Sequence, residues 1–231
     1  MKLNQQNIPG IFNDVIGPIM RGPSSSHTAA SWRAAKTCMD ILNEPLKKAI
    51  IDFDKDGAWA SNYREQGTSL GIEGGLLGLE MTDDRMKNTE LVANELGISI
   101  HYEINSFKTN HVNTFRLLLE GINGKNIKVV AISIGGGSFE IQNIDGFEVK
   151  ICGDFYELCL FNSSKETGLE ELKSMFPQSK SIVESFNSDK RLINMKFSKE
   201  VSDETIEKLK RIVSFDELII TKPVLPIVAG N

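Results

Sequence analysis

The chain has 231 residues, 40% hydrophobic and 25% charged, enough for one large or two modest folded domains. Its 26 Lys and Arg against 31 Asp and Glu leave a net charge of −5, so no basic surplus exists to neutralise phosphates, and nucleic acid is excluded as a main partner. No apolar run approaches the ~18 residues that would span a bilayer, and the polar opening MKLNQQNIPG lacks signal-peptide character, so a cytoplasmic protein without a membrane partner is expected.

In chain order, the first conspicuous stretch is GPIMRGPSSSHTAASWRAAK, residues 17–36, where a Gly-Pro pair precedes three serines, a histidine and a threonine. Helical periodicity follows: Ala34, Ala35, Cys38, Ile41 and Leu42 share a face, and Asn43-Glu44-Pro45 predicts the stop. KKAIIDFD reads as a strand and TSLGIEGGLLGL as a helix whose glycines permit close packing at a cost in propensity. Met81 to Gly97 reads as one amphipathic helix, capped by Thr82 or Asp83 and stopped by Gly97.

From Ile98 the period changes to two. ISIHYEI, VNTFRLLLEG, IKVVAISIG, SFEIQNI and FEVKICG are expected as successive antiparallel strands, with turns at Asn123-Gly124, Gly135-Gly136-Gly137 and Asp145-Gly146. Residues 1–150 are thus predicted to form a helix-plus-antiparallel-sheet domain. Residues 151–222 run strand, helix, strand, strand, helix, strand, the βαββαβ order of a ferredoxin-like fold. The fold class is α+β. Residues 223–231 read as a tail or linker whose aliphatic side chains, Val224, Leu225, Ile227 and Val228, are expected either to dock on a partner or to continue into a following domain.

A helix start rich in Ser and Thr is a ready anion cup, because its first N–H groups lack internal partners and the helix dipole favours negative charge there. His27 inside that cup adds a group able to take or give a proton near neutral pH. Together they fit a small acidic substrate with a removable proton. The plain alternative is that Ser26 caps the helix and His27 bonds to a neighbouring loop. His101, alternating in a strand, and His111, at a strand entry, are expected to be structural. A serine hydrolase would show a GxSxG elbow, which is missing. Gly135 to Gly137 lack the GK[ST] ending of a nucleotide loop and read as a tight turn, or as a close approach of backbone to ligand. Cys38, Cys152 and Cys159 are odd in number and form no CxxC pair. They are expected as small buried side chains, without a disulfide framework or zinc site.

IGPIMRGPSSSHTA, the EGGLLGL helix, HVNT and SIGGGSFEI stand in the order and spacing of the beta subunit, or beta domain, of iron-sulfur-dependent L-serine dehydratases, and the chain resembles that family over essentially its full length. The resemblance implies a lyase converting L-serine to pyruvate and ammonia, with a [4Fe-4S] cluster held by an alpha subunit or domain and with no metal ligand in this chain. It implies that the N-terminal domain is similar to the allosteric substrate-binding domain of some phosphoglycerate dehydrogenases, and that the C-terminal segment is ACT-like. His27 is then the catalytic acid/base. Ser24, Ser25, Ser26 and Thr28 hold the substrate carboxylate or close the site, and Asn113, Thr114, Gly135, Gly136 and Gly137 lie on the same rim. The implied partners are the alpha component, L-serine and further copies of the chain. Gln66 stands where many relatives have a histidine and Ser69 where they have an aspartate, and NSSKETGLEEL lacks the Pro-Gly or Phe-Gly pair that usually opens the first ACT helix. The other reading left open is a non-catalytic module that senses an amino acid or hydroxy acid.

Overall fold

A computed structural model describes residues 20–107, 109–162 and 168–224 of the chain. A π-helical turn, Ser25–Ala29, runs directly into α1, Ala30–Leu42. Asn43 takes a left-handed conformation (φ 54°) and returns its N–H to the Met39 carbonyl, which ends the helix where Asn-Glu-Pro predicts. After β1, Leu46–Asp54, residues 55–67 pass through consecutive turns into α2, Thr68–Leu76. The glycines of α2 let it lie directly on α1. A methyl group on Gly71 would run into the Thr28 carbonyl and the Ser31 hydroxyl, and one on Gly75 into the Trp32 carbonyl.

The helix expected over Met81 to Gly97 is divided. Asp83 accepts a hydrogen bond from Arg85 N and caps a 3-10 turn, Asp84–Asn88, after which α3, Thr89–Glu95, starts afresh. The break falls where Asn88 leaves helical geometry (φ −139°, ψ 51°) and the Thr89 hydroxyl is drawn across to Glu73 of α2. A polar tie to another helix here outweighs local periodicity.

Five further strands, β2 (Ser99–Asn105), β3 (Thr114–Gly121), β4 (Asn126–Gly135), β5 (Ser138–Ile144) and β6 (Phe147–Ile151), join β1 in a sheet ordered β2-β1-β3-β4-β5-β6. Asp145 and Gly146 both have positive φ, 50° and 91°, as the predicted two-residue hairpin turn requires. The sheet differs from the expectation at one edge: β2 lies parallel to β1. The helical connection through α2 and α3 supplies the long crossover that a parallel pair needs. One face, with Ile51, Phe53, Phe115, Leu117, Val129, Ala131 and Ile141, is buried in a core shared with α1 and α2.

The second sheet contains β7 (Tyr156–Phe161), β8 (Ser179–Asn187), β9 (Lys190–Phe197) and β10 (Glu217–Thr221), with α4 (Leu169–Met175) and α5 (Asp203–Ile212) between them in sequence. Its order is β10-β7-β9-β8 with every neighbour antiparallel, the split βαβ arrangement that the element order predicts. Strand alternation divides its side chains. Leu158, Leu160, Ile193 and Met195 pack with Leu172 of α4 and Leu209 of α5, while Cys159, Phe161, Leu192 and Ile219 join the core of the first sheet. Helix α1 touches β4, β5 and β10, so the helix that begins at the serine-histidine turn is common to both sheets.

Val224 N donates to the Gly153 carbonyl (3.0 Å), its side chain packs on the first core, and Lys222 N donates to Asp40 Oδ2 (2.9 Å). The start of the tail therefore docks on its own chain rather than awaiting a partner. Leu225, Ile227 and Val228 lie outside the described residues, as do residues 17–19 of the opening motif and 163–167 of the segment before α4. Among the described residues, no helix is long and apolar enough to cross a membrane.

Candidate functional site

The serine-histidine turn is not a capped helix start. Ser24 is extended (φ −142°, ψ 120°), and its hydroxyl caps no amide of the turn. Instead Ser24 Oγ and Ser26 Oγ stand 3.0 and 3.3 Å from His27 Nδ1 and 3.2 Å from each other. The N–H groups of His27 and Thr28 return to the Ser24 carbonyl at 3.2 and 2.7 Å. Those two amides are spent within the turn, so the polar capacity of the motif is in its hydroxyls, gathered on one nitrogen of a partly exposed imidazole.

The wall behind His27 comes from residues 55–67. Its ring lies 5.5 Å from that of Trp59, which in turn stacks on Phe115 at 5.1 Å and meets Phe53 edge-on at 6.2 Å. Asn62 N donates to the Trp59 carbonyl (3.1 Å) and Gln66 N to that of Asn62 (2.9 Å), so Trp59 and Asn62, three residues apart on a helical turn, share a side. Burial pushes the His27 pKa below the usual imidazole value, and Asn62 partly opposes that shift by hydrogen bonding. The buried Oδ1 of Asn62 has no hydrogen-bond partner of normal geometry among the described residues. Trp59 Nε1 and Thr68 Oγ1 are likewise buried and open. Buried polar atoms are seldom left so.

Thr28 is fully buried and faces inward. Its hydroxyl donates to the Gln66 carbonyl (3.4 Å), and it fits between Gly22 and Gly67, both at positive φ, where a methyl group on either would strike it. Gln66 thus serves the turn through its main chain. Ser69 N donates to the Tyr63 carbonyl, and its own carbonyl accepts from Tyr102 at 3.4 Å.

Ser133, in β4, joins the remaining motifs. Its Oγ donates to the Ser26 carbonyl (2.8 Å) and its N to the Asn113 carbonyl (3.1 Å), so SSSHT, HVNT and SIGGG meet at this residue. Asn113 N donates to His111 Nδ1 (3.1 Å), while the buried Thr114 hydroxyl donates to the His111 carbonyl. Gly135, Gly136 and Gly137, with φ of 98°, 63° and 96°, form the turn between β4 and β5. Arg33, fully buried in α1, donates from Nη1 to the Gly137 carbonyl at 2.7 Å. His101 stands on the edge strand β2, bonded to Ser99 at 2.7 Å.

Four residues here carry roles that sequence reasoning missed: Arg33, Trp59, Asn62 and Ser133. Arg33 is a cation within an apolar helical pattern, and Ser133 continues the buried alternation of Ile127, Val129 and Ala131; both signals were present in the sequence. Trp59 and Asn62 lie in an aperiodic loop that gives no such signal.

The three cysteines are buried thiols. Burial pushes Cys152 and Cys159 up to about 12 and Cys38 higher still, and among the described residues no three His, Cys, Asp or Glu converge as a metal-binding set. These side chains do not fit the ligation of an iron-sulfur cluster, which requires accessible thiolates grouped together.

No family model matches the chain. It is 33% identical over 152 residues to the probable L-serine dehydratase beta chain of Bacillus subtilis (strain 168), covering 66% of this chain and 68% of that one. It is 30% identical over 203 residues to the L-serine dehydratase beta chain of Peptoniphilus asaccharolyticus, covering 87% of this chain and 90% of that one.

Proposed function

The chain belongs to the family of L-serine dehydratase beta chains, and from that premise we propose that it is the beta component of an enzyme removing water from L-serine, giving pyruvate and ammonia by way of aminoacrylate. The observation that carries the proposal is the partly exposed His27, with the Ser24 and Ser26 hydroxyls on Nδ1 and Trp59 on its face, at the point where three sequence motifs meet. His27 is the acid/base. Because burial favours its neutral form, the imidazole is ready to accept a proton from the substrate at neutral pH. Ser24, Ser25 and Ser26 offer hydroxyls to the substrate carboxylate. Thr28 fastens the turn from beneath, and Asn113, Thr114 and Gly135 to Gly137 form the rim.

Gly22, Pro23 and Val112 are exposed, Val112 at 63%. Such a rim suits an alpha component that closes over the site and contributes the rest of it, and the [4Fe-4S] cluster is assigned to that component. The experiment is co-expression of the chain with an alpha partner under anaerobic conditions, followed by a pyruvate assay with L-serine. Pyruvate is expected from the pair and not from this chain alone. An assembled, cluster-loaded pair that makes no pyruvate from L-serine would overturn the reading.

A further inference from the structure

The turn between β4 and β5 makes its own geometry. Gly136 and Gly137 both have positive φ, 63° and 96°, as a two-residue hairpin turn requires, and Gly135 pairs with Ser138 to close it. No outside group is needed to form such a turn, yet a buried side chain holds it at either end. Before the glycines, Ser133 Oγ donates to the Ser26 carbonyl (2.8 Å). At their end, Arg33 Nη1 donates to the Gly137 carbonyl (2.7 Å). Both side chains are fully buried. Ser26 and Arg33 belong to one continuous helical segment, the π-helical turn running into α1, and His27 lies between them. We infer that Ser133 and Arg33 are positioning residues that clamp the glycine turn at both ends onto the segment carrying His27, and so set where the rim stands relative to the imidazole. The inference rests on the reading of His27 as the acid/base and of the glycine turn as part of the rim.

The local structure favours placement over plain packing. The register of β4 against β5 shifts between Ser133 and Gly135, an irregularity of the kind that re-aims the end of a hairpin, and the two bonds flank that shift. Gly135 and Gly136 stay partly exposed while Gly137 is buried, so the turn is open at its tip and fixed at its base. Ser133 N already donates to the Asn113 carbonyl, so the strand is tied there without the hydroxyl. Arg33 is the only charged side chain that α1 buries. An aliphatic residue would pack there without the cost of desolvating a guanidinium, a cost that persists where the rigid N–H fork has a carbonyl to hold.

The test compares Arg33→Lys and Ser133→Ala with the parent, as full chains and assembled with the alpha partner. Arg33→Lys keeps the buried charge but loses the planar fork, and Ser133→Ala removes a single hydroxyl. In the full chain, hydrogen exchange is expected to quicken in the peptide spanning residues 134–138 in both variants, with the second sheet at parent rates. In the assembled enzyme, KM for L-serine is expected to rise about tenfold in Arg33→Lys, the scale of a hydrogen bond from a charged group, and about threefold in Ser133→Ala, the scale of a neutral one. In each, kcat is expected to change less than KM, the mark of lost substrate binding rather than lost fold. Should Arg33→Lys fail to fold, Ser133→Ala decides by the same two readouts. Parent-rate exchange at residues 134–138 overturns the inference, and so does a lower melting temperature with KM unmoved, which is what plain packing would give. If exchange quickens as expected but the parent itself, assembled with a cluster-loaded alpha partner, releases no pyruvate, the clamp stands and the failure belongs to the reading of function.

Discussion

His27 is set by two opposed influences, burial that lowers its proton affinity and Asn62 that raises it, and burial is the larger. The acid limb of a kcat/KM profile for the assembled enzyme is therefore expected below the ordinary imidazole pKa of about 6.5; a limb at or above that value contradicts a partly buried neutral base. Folding is linked with the same sign. A histidine whose folded pKa is depressed binds protons less well when folded, so its contribution to stability is complete above the unfolded value and is lost as pH falls from there through the lower folded value. In denaturant unfolding, the stability of the parent relative to His27→Gln should be greatest above about pH 7 and decline as pH falls below about 6.5. The serine-histidine run was legible because five polar residues between a Gly-Pro pair and a clean helix have few plain uses. What the hydroxyls do was not legible: Ser24 and Ser26 turn away from helix capping toward Nδ1 because a π-helical turn occupies the position of the expected N-terminus. Trp59 and Asn62 were hidden because only the tertiary fold brings their loop to the ring.

The elements hold the turn in place through contacts that allow little substitution. Gly71 is the clearest case: Gly71→Ala would drive a methyl group into the Thr28 carbonyl, in the main chain of the serine-histidine turn. Overpacking of this kind costs about 1–3 kcal/mol, and a lower denaturation midpoint together with lost turnover is expected. Across the sheet, Asp52 of β1 is bound by Arg116 of β3, through Nε (3.0 Å) and Nη2, and by Asn105 of β2 (3.1 Å). Asp52 is buried while Arg116 is partly exposed. Arg116→Ala leaves a buried carboxylate with one amide partner, and a loss of about 3 kcal/mol in chemical denaturation is expected; a loss under about 0.5 kcal/mol would class the pair with exposed salt bridges. Periodicity made most of these elements readable, since Ile51 and Phe53 of β1 and Leu117 and Leu119 of β3 follow the period-two rule. The division of the helix expected over Met81 to Gly97 and the parallel setting of β2 escaped it. Each depends on a long-range tie, Thr89 to Glu73 and β2 to β1, that local pattern does not encode.

At the scale of the molecule, α1 is the element that both sheets share, with the candidate site at its start and Asp40, bonded to the Lys222 main chain, near its end. The βαββαβ order predicted the second sheet correctly, but not that Cys159, Phe161, Leu192 and Ile219 would pack into the core of the first. An ending at residue 221 removes the Lys222 and Val224 contacts, whereas an ending at residue 224 keeps them, so the shorter chain is expected to melt a few degrees lower by calorimetry, as a loss of about 1 kcal/mol implies. Equal melting temperatures would return this segment to a partner-docking role. The central claim, that this chain contributes the proton-transfer group of an L-serine dehydratase, is tested most directly by the turnover of His27→Ala in the enzyme assembled with its alpha partner. The account predicts a fall of about 10² to 10⁴ in kcat, the range for a lost general acid or base, with unfolding and assembly unchanged and KM altered much less. Turnover within about threefold of the parent, far short of that range, would contradict it.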